Sequence, residues 1–336
     1  MIRGRRWSCP TPMYATATGT LRFADRHPEL RDAGFFRTVF DLAVSTLGIG
    51  TYLNASVEAL LAAAEGGINF FDTAINYRHQ QSEREIGAAL KQLQRDEIVV
   101  STKAGFLTPG AVPAGLAPGD VTGGMHSMAP DFLEDQIERS RANMGVDTID
   151  VFYLHNPETQ LGFVRREEFD ARIHRAFARL EKLVESEKIR WYGAATWDGF
   201  RKPGQLSRPR LAEIAAAEGG ADHHFRFIQL PFNLGMVEAY FGKPESVLQQ
   251  AARLGIAVVA SASLLQTQVL RHMPDAVADL LPGLASDAQR AIQFTRSTPG
   301  IAVALAGMGR REHVLENLGV GRVAPAAAAD YRRFYE

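Results

Sequence analysis

The stretch that decides the fold is residues 67–90, which read GINFFDTAINYRHQQSEREIGAAL. Its first part, 68–71, is mostly apolar and lies between a glycine pair and Asp72, which is typical of a short buried strand in a parallel sheet. Its last part carries apolar residues at helical spacing. The stretch therefore predicts a strand, a loop and an amphipathic helix, with Asp72 and Tyr77 at the carboxyl end of the strand. In barrels and open sheets that alternate strands with helices, ligands bind at this end.

Length and composition are those of a globular protein with a large core. The chain has 336 residues, of which 46% are hydrophobic and 22% charged, and its net charge is -1. Because it lacks a basic field, we expect no nucleic-acid or membrane partner, and a small neutral or weakly charged ligand instead. The single cysteine, Cys9, excludes an intramolecular disulfide and a multi-thiolate metal site within one chain. Residues 7–20 contain no continuous apolar segment, which favours a cytoplasmic protein; the oligomeric state stays open.

Strand-like runs alternate with helical patterns along most of the chain. The predicted strands are 44–49, 68–71, 98–101, 149–154, 191–194, 227–230, 256–260 and 301–305, and the predicted helices include 57–64, 132–144, 173–186, 211–217, 247–254 and 288–296. This pattern is typical of a closed (β/α)8 barrel, the TIM-barrel fold. A doubly wound sheet is the alternative, but no Pro-, Gly- or Ser-rich linker separates two cores. We therefore predict one α/β domain over residues 1–336.

Three segments lie outside the strand–helix repeat. Residues 1–43 precede the first barrel strand and contain short alternating runs, which favour a hairpin that closes the amino-terminal end of the barrel. Residues 104–130 form a long loop rich in proline and glycine, and because it follows the third strand we expect it over the ligand-binding face. Residues 325–336 begin with a proline and four alanines, which predicts a final helix.

Polar side chains stand at the ends of further strands. Lys103 and His155 follow the apolar runs of the third and fourth strands, and Gln229 interrupts the sixth. Taken singly, such a lysine more often extends to water and such a histidine is more often structural. In a barrel, however, strands two, three and four bring four of these groups to one rim. The four are Asp72, Tyr77, Lys103 and His155.

In identity, order and strand placement these four residues resemble the catalytic tetrad of the aldo-keto reductase superfamily, and the resemblance extends over residues 47–317. It implies an NAD(P)H-dependent oxidoreductase that transfers hydride between nicotinamide and a carbonyl or alcohol substrate. The carbonyl oxygen gains negative charge in this reaction, and Tyr77 is the implied proton donor. We expect Lys103 to lower the pKa of the phenol toward neutrality and Asp72 to keep Lys103 charged and in place. His155 would orient the substrate oxygen.

The resemblance also implies residues for a nicotinamide cofactor, with departures from the family pattern. Ser261 stands where an aromatic residue usually stacks on the nicotinamide, and Phe232 is the candidate substitute. Ala195 and Thr196 replace the usual Ser-Asn pair, so that only Thr196 keeps a hydroxyl for the carboxamide, which Gln229 is also implied to contact. The implied cofactor residues are Gly50, Thr51, Tyr52, Thr196, Gln229, Ser261, Leu264, Gly307, Arg310, Arg311, Glu316 and Asn317.

The last of these segments, 306–317, resembles the family's adenosine-phosphate site. Glu316 and Asn317 fit the adenine contact. The two positions that are often basic and meet the 2′-phosphate hold glycine and histidine here, but Arg310 or Arg311 is close enough in sequence to reach a phosphate. NADP is thus favoured by the habit of the family, and NAD is not excluded.

Two alternatives stay open. The altered residues Ser261, Ala195 and Thr196 also fit a cofactor-binding sensor or subunit with little turnover. A barrel metallohydrolase that uses Asp72 and His155 would need a second metal-spaced histidine pair, which the sequence lacks, so no metal is expected. The aromatic candidates for an apolar substrate pocket are Tyr52, Phe106, Trp197, Phe200 and Phe232.

Overall fold

The computed structural model describes residues 14–271 and 273–335 and shows a closed barrel. The described strands are β1 (Phe36–Val39), β2 (Leu42–Ser45), β3 (Leu47–Gly50), β4 (Phe70–Asp72), β5 (Val99–Ala104), β6 (Ile149–His155), β7 (Ile189–Ala195), β8 (Phe225–Pro231), β9 (Ala257–Ser261) and β10 (Ile301–Gly307). Strands β3 to β10 are parallel neighbours in chain order, and the pairing of β10 with β3 closes the barrel. The predicted (β/α)8 TIM barrel is confirmed.

The hairpin of β1 and β2 lies at the amino-terminal end of the barrel, as predicted. Its antiparallel pairs run from Phe36 with Ser45 to Val39 with Leu42. Val39, Leu42 and Val44 are buried in one cluster with side chains of β4 to β10. The hairpin therefore covers the amino-terminal end of the barrel interior with apolar side chains.

The first predicted strand, 44–49, is divided in the structure. Residues up to Ser45 belong to β2 and residues from Leu47 onward belong to β3, with Thr46 between them. The amide of Thr46, at 2.7 Å, and its hydroxyl, at 2.9 Å, both donate to the carbonyl oxygen of Phe35. The prediction of a single strand here is wrong, because these bonds turn the chain from the hairpin into the barrel.

Helices surround the barrel and occupy the predicted positions. The described α-helices are α1 (Ala17–Asp25), α2 (Pro28–Asp32), α3 (Val57–Glu65), α4 (Gln81–Leu90), α5 (Pro130–Met144), α6 (Arg166–Glu185), α7 (Arg208–Gly219), α8 (Val247–Arg253), α9 (Asp275–Leu280), α10 (Asp287–Ser297), α11 (Arg311–Leu318) and α12 (Ala328–Arg332). Serines begin several of them. Ser56 accepts from the Ala59 amide before α3, and Ser246 with Gln249 forms a capping box before α8. None of these described helices has the length and apolar character needed to cross a membrane.

The long loop between β5 and α5, residues 105–129, folds back on itself. The amide of Leu107 donates to the carbonyl of Met125, and the amide of Ser127 donates to the carbonyl of Gly105, both at 2.8 Å. An isolated bridge also pairs Phe106 with residue 126. Because β5 ends at Ala104, the loop begins at the carboxyl-terminal rim of the barrel, as predicted.

Candidate active site

The carboxyl ends of the barrel strands bring the four tetrad candidates to one rim. Asp72 ends β4, Lys103 is the penultimate residue of β5, and His155 ends β6. Tyr77 lies in the loop after β4, and the register pairs Asp72 with Gly50 of β3. Side chains that are far apart in sequence are therefore neighbours at one edge of the barrel.

A buried ion pair stands at the centre of the site. Lys103 Nζ donates to Asp72 Oδ2 and to the carbonyl oxygen of Thr73, each at 2.7 Å, and the lysine side chain is 1% exposed. Asp72 Oδ1 accepts from Ser101 Oγ at 2.7 Å and from Gln229 Nε2 at 2.9 Å. Such additional bonds offset the cost of desolvating two charges. Burial lowers the pKa of Lys103, and Asp72 opposes this shift because it favours the charged ammonium.

Tyr77 is half-buried beside this ion pair. Its ring meets Tyr52 edge to face at 5.0 Å, and its centre lies 5.2 Å from Lys103 Nζ. Burial, and after it the charge of Asp72, raises the pKa of the Tyr77 phenol well above its ordinary value. The prediction that Lys103 brings this pKa toward neutrality is wrong for this structure, because desolvation dominates. The phenol is therefore protonated at neutral pH.

His155 is buried next to the Tyr77 ring. Its imidazole meets Tyr77 at 5.8 Å and Phe106 at 5.2 Å, in both cases edge to face. Burial, with Lys103 and His126 as further causes, lowers the pKa of His155 well below its ordinary value. The ring is thus neutral at neutral pH, and its Nδ1 is buried without a hydrogen-bond partner. A neutral imidazole carries one N–H donor, which suits a carbonyl oxygen.

Three of the predicted cofactor residues come from the end of β3. Gly50 pairs in register with Gly307 of β10, so two residues without side chains lie next to each other at the rim. A Cβ added to Gly307 would meet nothing within 4 Å. Thr51 is buried, and its amide at 3.0 Å and hydroxyl at 3.1 Å donate to the carbonyl oxygen of Asp72. Tyr52 is 55% exposed, so part of its ring is accessible from solvent.

The residues predicted to contact the carboxamide already have partners within the protein. Gln229 Nε2 donates to Asp72, as described above. Thr196 is buried, and it donates to the carbonyl oxygen of Gln229 from its amide at 2.8 Å and from its hydroxyl at 3.4 Å. Both residues lie at the rim where they were predicted, but their donors face the protein.

Ser261 and Leu264 are half-buried at the end of β9 and just after it. Phe232 is wholly buried, and its ring is stacked on Phe294 of α10 at 6.0 Å. The interpretation of Phe232 as a substitute stacking residue is therefore wrong, because its ring packs in the core between barrel and helix.

The predicted adenosine-phosphate residues lie at α11. Arg310 and Arg311 are exposed where this helix begins, and Arg311 lies 3.9 Å from Glu65. The first turn of a helix presents free N–H groups and partial positive charge, which suit a phosphate. Asn317 is buried with an unpaired Oδ1, whereas Glu316 is exposed. These residues stay candidates for the phosphate and adenine end of a dinucleotide, while the candidates for the carboxamide end depart from the family pattern.

The aromatic pocket candidates divide into two groups. Trp197, in the loop after β7, is 44% exposed, and Tyr52 is exposed as well. Phe106 contacts His155. Phe200 and Phe232 are buried and belong to the core. Within the described part of the chain, no group of three or more His, Cys, Asp or Glu side chains is arranged to hold a metal ion.

Sequence reasoning missed three polar residues that support the rim. His126 Nε2 lies 2.8 Å from the carbonyl oxygen of His155, and His126 Nδ1 lies 3.1 Å from Gln160 Nε2. Glu158 Oε1 accepts from the backbone amides of residues 197–199 at 2.8, 3.1 and 3.1 Å, which holds the loop after β7. The one available signal was Gly105, a glycine shortly after the predicted strand 98–101.

Comparison with known proteins identifies the family. The profile described as the Aldo/keto reductase family matches residues 46–275. The chain belongs to the aldo/keto reductase family. This membership agrees with the barrel, with the hairpin and with the placement of the four rim residues.

Two relatives of this aldo/keto reductase are named for oxidoreductase activities. A D-threo-aldose 1-dehydrogenase from Pseudomonas sp is 38% identical over 138 residues, which cover 37% of this chain and 38% of the relative. An NADH-specific methylglyoxal reductase from Escherichia coli strain K12 is 28% identical over 171 residues, which cover 47% of this chain and 50% of the relative. The matched segments thus span half or less of the length of these two relatives.

Solved structures of aldo-keto reductases share the fold. The holo form of aldo-keto reductase AKR11C1 from Bacillus halodurans has a TM-score of 0.63 at 21% identity and covers 89% of this chain and 95% of its own. An aldo/keto reductase from Klebsiella pneumoniae in complex with NADP and acetate has a TM-score of 0.64 at 20% identity and covers 89% and 94%. At these identities the likeness shows the common barrel.

Proposed function

We propose that this protein is an NAD(P)H-dependent oxidoreductase that transfers hydride between nicotinamide and a small carbonyl or alcohol substrate. One observation carries the proposal: the phenol of Tyr77 and the imidazole of His155 meet at one rim beside the buried Asp72–Lys103 pair. The names of the two relatives, a dehydrogenase of aldoses and a reductase of methylglyoxal, support the same reaction class. We also infer that residues 1–336 act as one barrel domain.

The cofactor supplies the hydride when it is bound. Gly50 and Gly307 leave room for it at the rim, and Arg310 and Arg311 are the proposed partners of its phosphates. Asn317 offers a buried, unpaired amide oxygen, which suits the amino group of adenine. The other proposed cofactor residues are Thr51, Tyr52, Thr196, Gln229, Ser261, Leu264 and Glu316. NADP is the proposed cofactor, with NAD as the alternative.

Tyr77 is the proposed proton donor. A carbonyl oxygen gains negative charge as it is reduced, and the protonated phenol is the group that neutralises it. Lys103 stabilises the phenolate left behind, because its ammonium lies 5.2 Å from the ring centre. Asp72 holds that ammonium in place at 2.7 Å.

His155 is proposed to orient the substrate. Because burial keeps its ring neutral, His155 offers one N–H to the carbonyl oxygen and does not compete with Tyr77 as an acid. A charged imidazolium at this position would be the stronger acid of the two. The low pKa of His155 therefore supports the phenol as the proton donor.

The test compares Tyr77→Phe with Tyr14→Phe. Tyr14 packs against Arg190 at the start of β7, at the opposite end of the barrel. Each protein is mixed with NADPH or NADH and a panel of aldehydes, ketones and sugars, and cofactor oxidation is followed. We expect Tyr77→Phe to lower kcat at least ~100-fold without weakening cofactor binding, and Tyr14→Phe to keep full activity. Full activity in Tyr77→Phe, or no oxidation by the unmodified protein with any substrate, overturns the proposal.

A second candidate is a cofactor-binding sensor or subunit with little turnover. It is favoured by two features. Ser261 stands where the family places a stacking aromatic residue, and the bond to Asp72 uses one of the two N–H groups of Gln229, the residue predicted to contact the carboxamide. Tight quenching of nicotinamide fluorescence with turnover near zero would favour the sensor. Rapid turnover would exclude it.

A further inference from the structure

A chain of polar groups connects helix α6 to the carbonyl oxygen of His155. It starts at Arg172, whose Nη1 donates to Gln160 Oε1 at 2.9 Å. Gln160 Nε2 then lies 3.1 Å from His126 Nδ1, and His126 Nε2 lies 2.8 Å from the carbonyl oxygen of His155. Gln160 and His126 are both 0% exposed. The chain thus joins α6, the turn after β6 and the 105–129 loop through buried side chains.

The two ends of this chain fix the direction of each hydrogen bond. A guanidinium can only donate, so Gln160 presents its amide oxygen to Arg172 and its amide nitrogen to His126. A backbone carbonyl can only accept, so His126 donates to His155 from Nε2–H. Both ends therefore require a neutral imidazole that accepts at Nδ1. Burial lowers the pKa of His126 to about 4, which agrees with that state.

The contact between His126 and His155 leaves no space for a side chain at the residue after β5. A Cβ added to Gly105 would lie 2.5 Å from His126 Nε2 and 2.6 Å from the His155 carbonyl oxygen. Carbon atoms do not approach these groups so closely, so the bond requires glycine at this position. The glycine at position 105 is therefore what allows the hydrogen bond between His126 and the His155 carbonyl.

Phe106 links the same two histidines a second time. Its ring centre lies 5.2 Å from that of His126 and 5.2 Å from that of His155, at 88° in both cases. The His155 ring has no hydrogen bond at its buried Nδ1. Its position therefore depends on its own backbone and on the aromatic neighbours, and His126 contacts both the backbone and Phe106.

We propose that His126 is a positioning residue for His155 and that the 105–129 loop is a fixed wall of the site. His126 holds the end of β6 through the His155 carbonyl and supports the ring of Phe106 against the His155 imidazole. The effect on catalysis rests on the proposed function. The effect on the position of His155 is independent of the proposed function, because it concerns the protein without substrate or cofactor.

Two substitutions separate the hydrogen bond from the mere presence of a polar side chain. Glutamine places an N–H group near the position of histidine Nε2, whereas asparagine places one near Nδ1, too far from the His155 carbonyl. We expect His126→Asn to lower kcat for carbonyl reduction about tenfold and His126→Gln to restore most of it. The affinity for NADPH is expected to change less than about twofold in either variant. Equal activity of the three proteins, or an equal loss in both variants, contradicts the proposal.

A readout without substrate comes from ¹⁵N NMR of the cofactor-free protein at neutral pH. We expect His126 as the neutral tautomer with its proton on Nε2. The amide of Asn156, which follows the held carbonyl, is expected to shift in His126→Asn and to return in His126→Gln. A charged His126, a proton on Nδ1 or an unchanged Asn156 amide overturns the proposal. If the unmodified protein reduces no carbonyl, the proposed function fails, and the NMR result still decides the positioning role.

Discussion

Lys103 presents its ammonium to the ring of Tyr77, with Nζ 5.2 Å from the ring centre. Burial and the Asp72 carboxylate keep the resting phenol protonated, because both raise its pKa. The ammonium is close enough to attract a phenolate once the proton has left. The ammonium beside the phenol supports the proposed role of Tyr77 as the proton donor in carbonyl reduction.

Removal of the Lys103 ammonium would leave the Asp72 carboxylate buried with neutral partners alone. We expect Lys103→Met to lower the free energy of unfolding by ~3 kcal/mol, because an uncompensated buried charge remains. The double variant Asp72→Asn, Lys103→Met removes both charges and is expected to regain most of this stability but no activity. Urea denaturation of the two single variants and the double variant measures the coupling. Simply additive losses would show that the two charges do not interact.

The two buried imidazoles predict a loss of stability on acidification. The pKa of His155 lies well below its ordinary value, and that of His126 is about 4. In the unfolded chain both rings titrate near ~6.5. As the pH falls below that value, the unfolded state binds protons that the folded state does not, so stability falls until the folded pKa values are reached. Each imidazole is expected to contribute a slope of ~1.4 kcal/mol per pH unit between about pH 6 and pH 4.5.

His126→Gln removes one of these two groups and tests the assignment. Its free energy of unfolding is expected to depend less steeply on pH than that of the unmodified protein, by ~1.4 kcal/mol per unit over the same range. Urea unfolding at closely spaced pH values measures both profiles. Parallel profiles would mean that His126 binds its proton equally well in the folded and unfolded chain.

Two glycines of one loop provide a matched pair of substitutions. A Cβ on Gly105 would clash with the His126–His155 contact, whereas a Cβ on Gly115 would meet nothing within 4 Å. We expect Gly105→Ala to lower the free energy of unfolding by ~2 kcal/mol through overpacking, and Gly115→Ala to change it by less than ~0.5 kcal/mol. Chemical denaturation decides, and equal stability of the two variants would show that the loop adapts without cost.

The exposed arginines at the start of α11 predict a preference for NADPH over NADH. We expect Arg310→Ala combined with Arg311→Ala to weaken NADPH binding about tenfold and NADH binding about twofold at most, because only NADPH carries the 2′-phosphate. Fluorescence titration measures both constants. Arg253→Ala, which removes an exposed arginine paired with Glu245 near α8, is the control and should change neither. An equal loss for both cofactors would place the arginines on the shared pyrophosphate instead.

Most of the barrel could be predicted because parallel strands buried on both faces read as continuous apolar runs. Strand β6, for example, is IDVFYLH with all seven residues buried, and helical spacing flanks it on both sides. The same apolar character led to the wrong prediction of a single strand at 44–49. Apolar character continues through Thr46, and only its bonds to Phe35 reveal that the chain changes sheets there.

The four rim residues could be predicted because each stands at or just after the end of a strand, and counting strands places them together. His126 and Gln160 could not, because their contacts join residues 29 and 34 positions apart in segments without periodicity. Phe232 was misjudged since sequence gives its distance from a strand end but not the side to which its ring turns. Packing against Phe294 decides that side.

The hairpin at the amino-terminal end limits how substrate and product can reach the rim. Val39, Leu42 and Val44 pack against the interior side chains of the barrel. Among the described residues, apolar side chains of the hairpin therefore close the amino-terminal end of the barrel. We therefore expect a substrate of Tyr77 to enter and leave at the carboxyl-terminal end of the barrel, where Trp197 and Tyr52 are exposed. The product must therefore leave before the next substrate can bind, because both use the same end of the barrel.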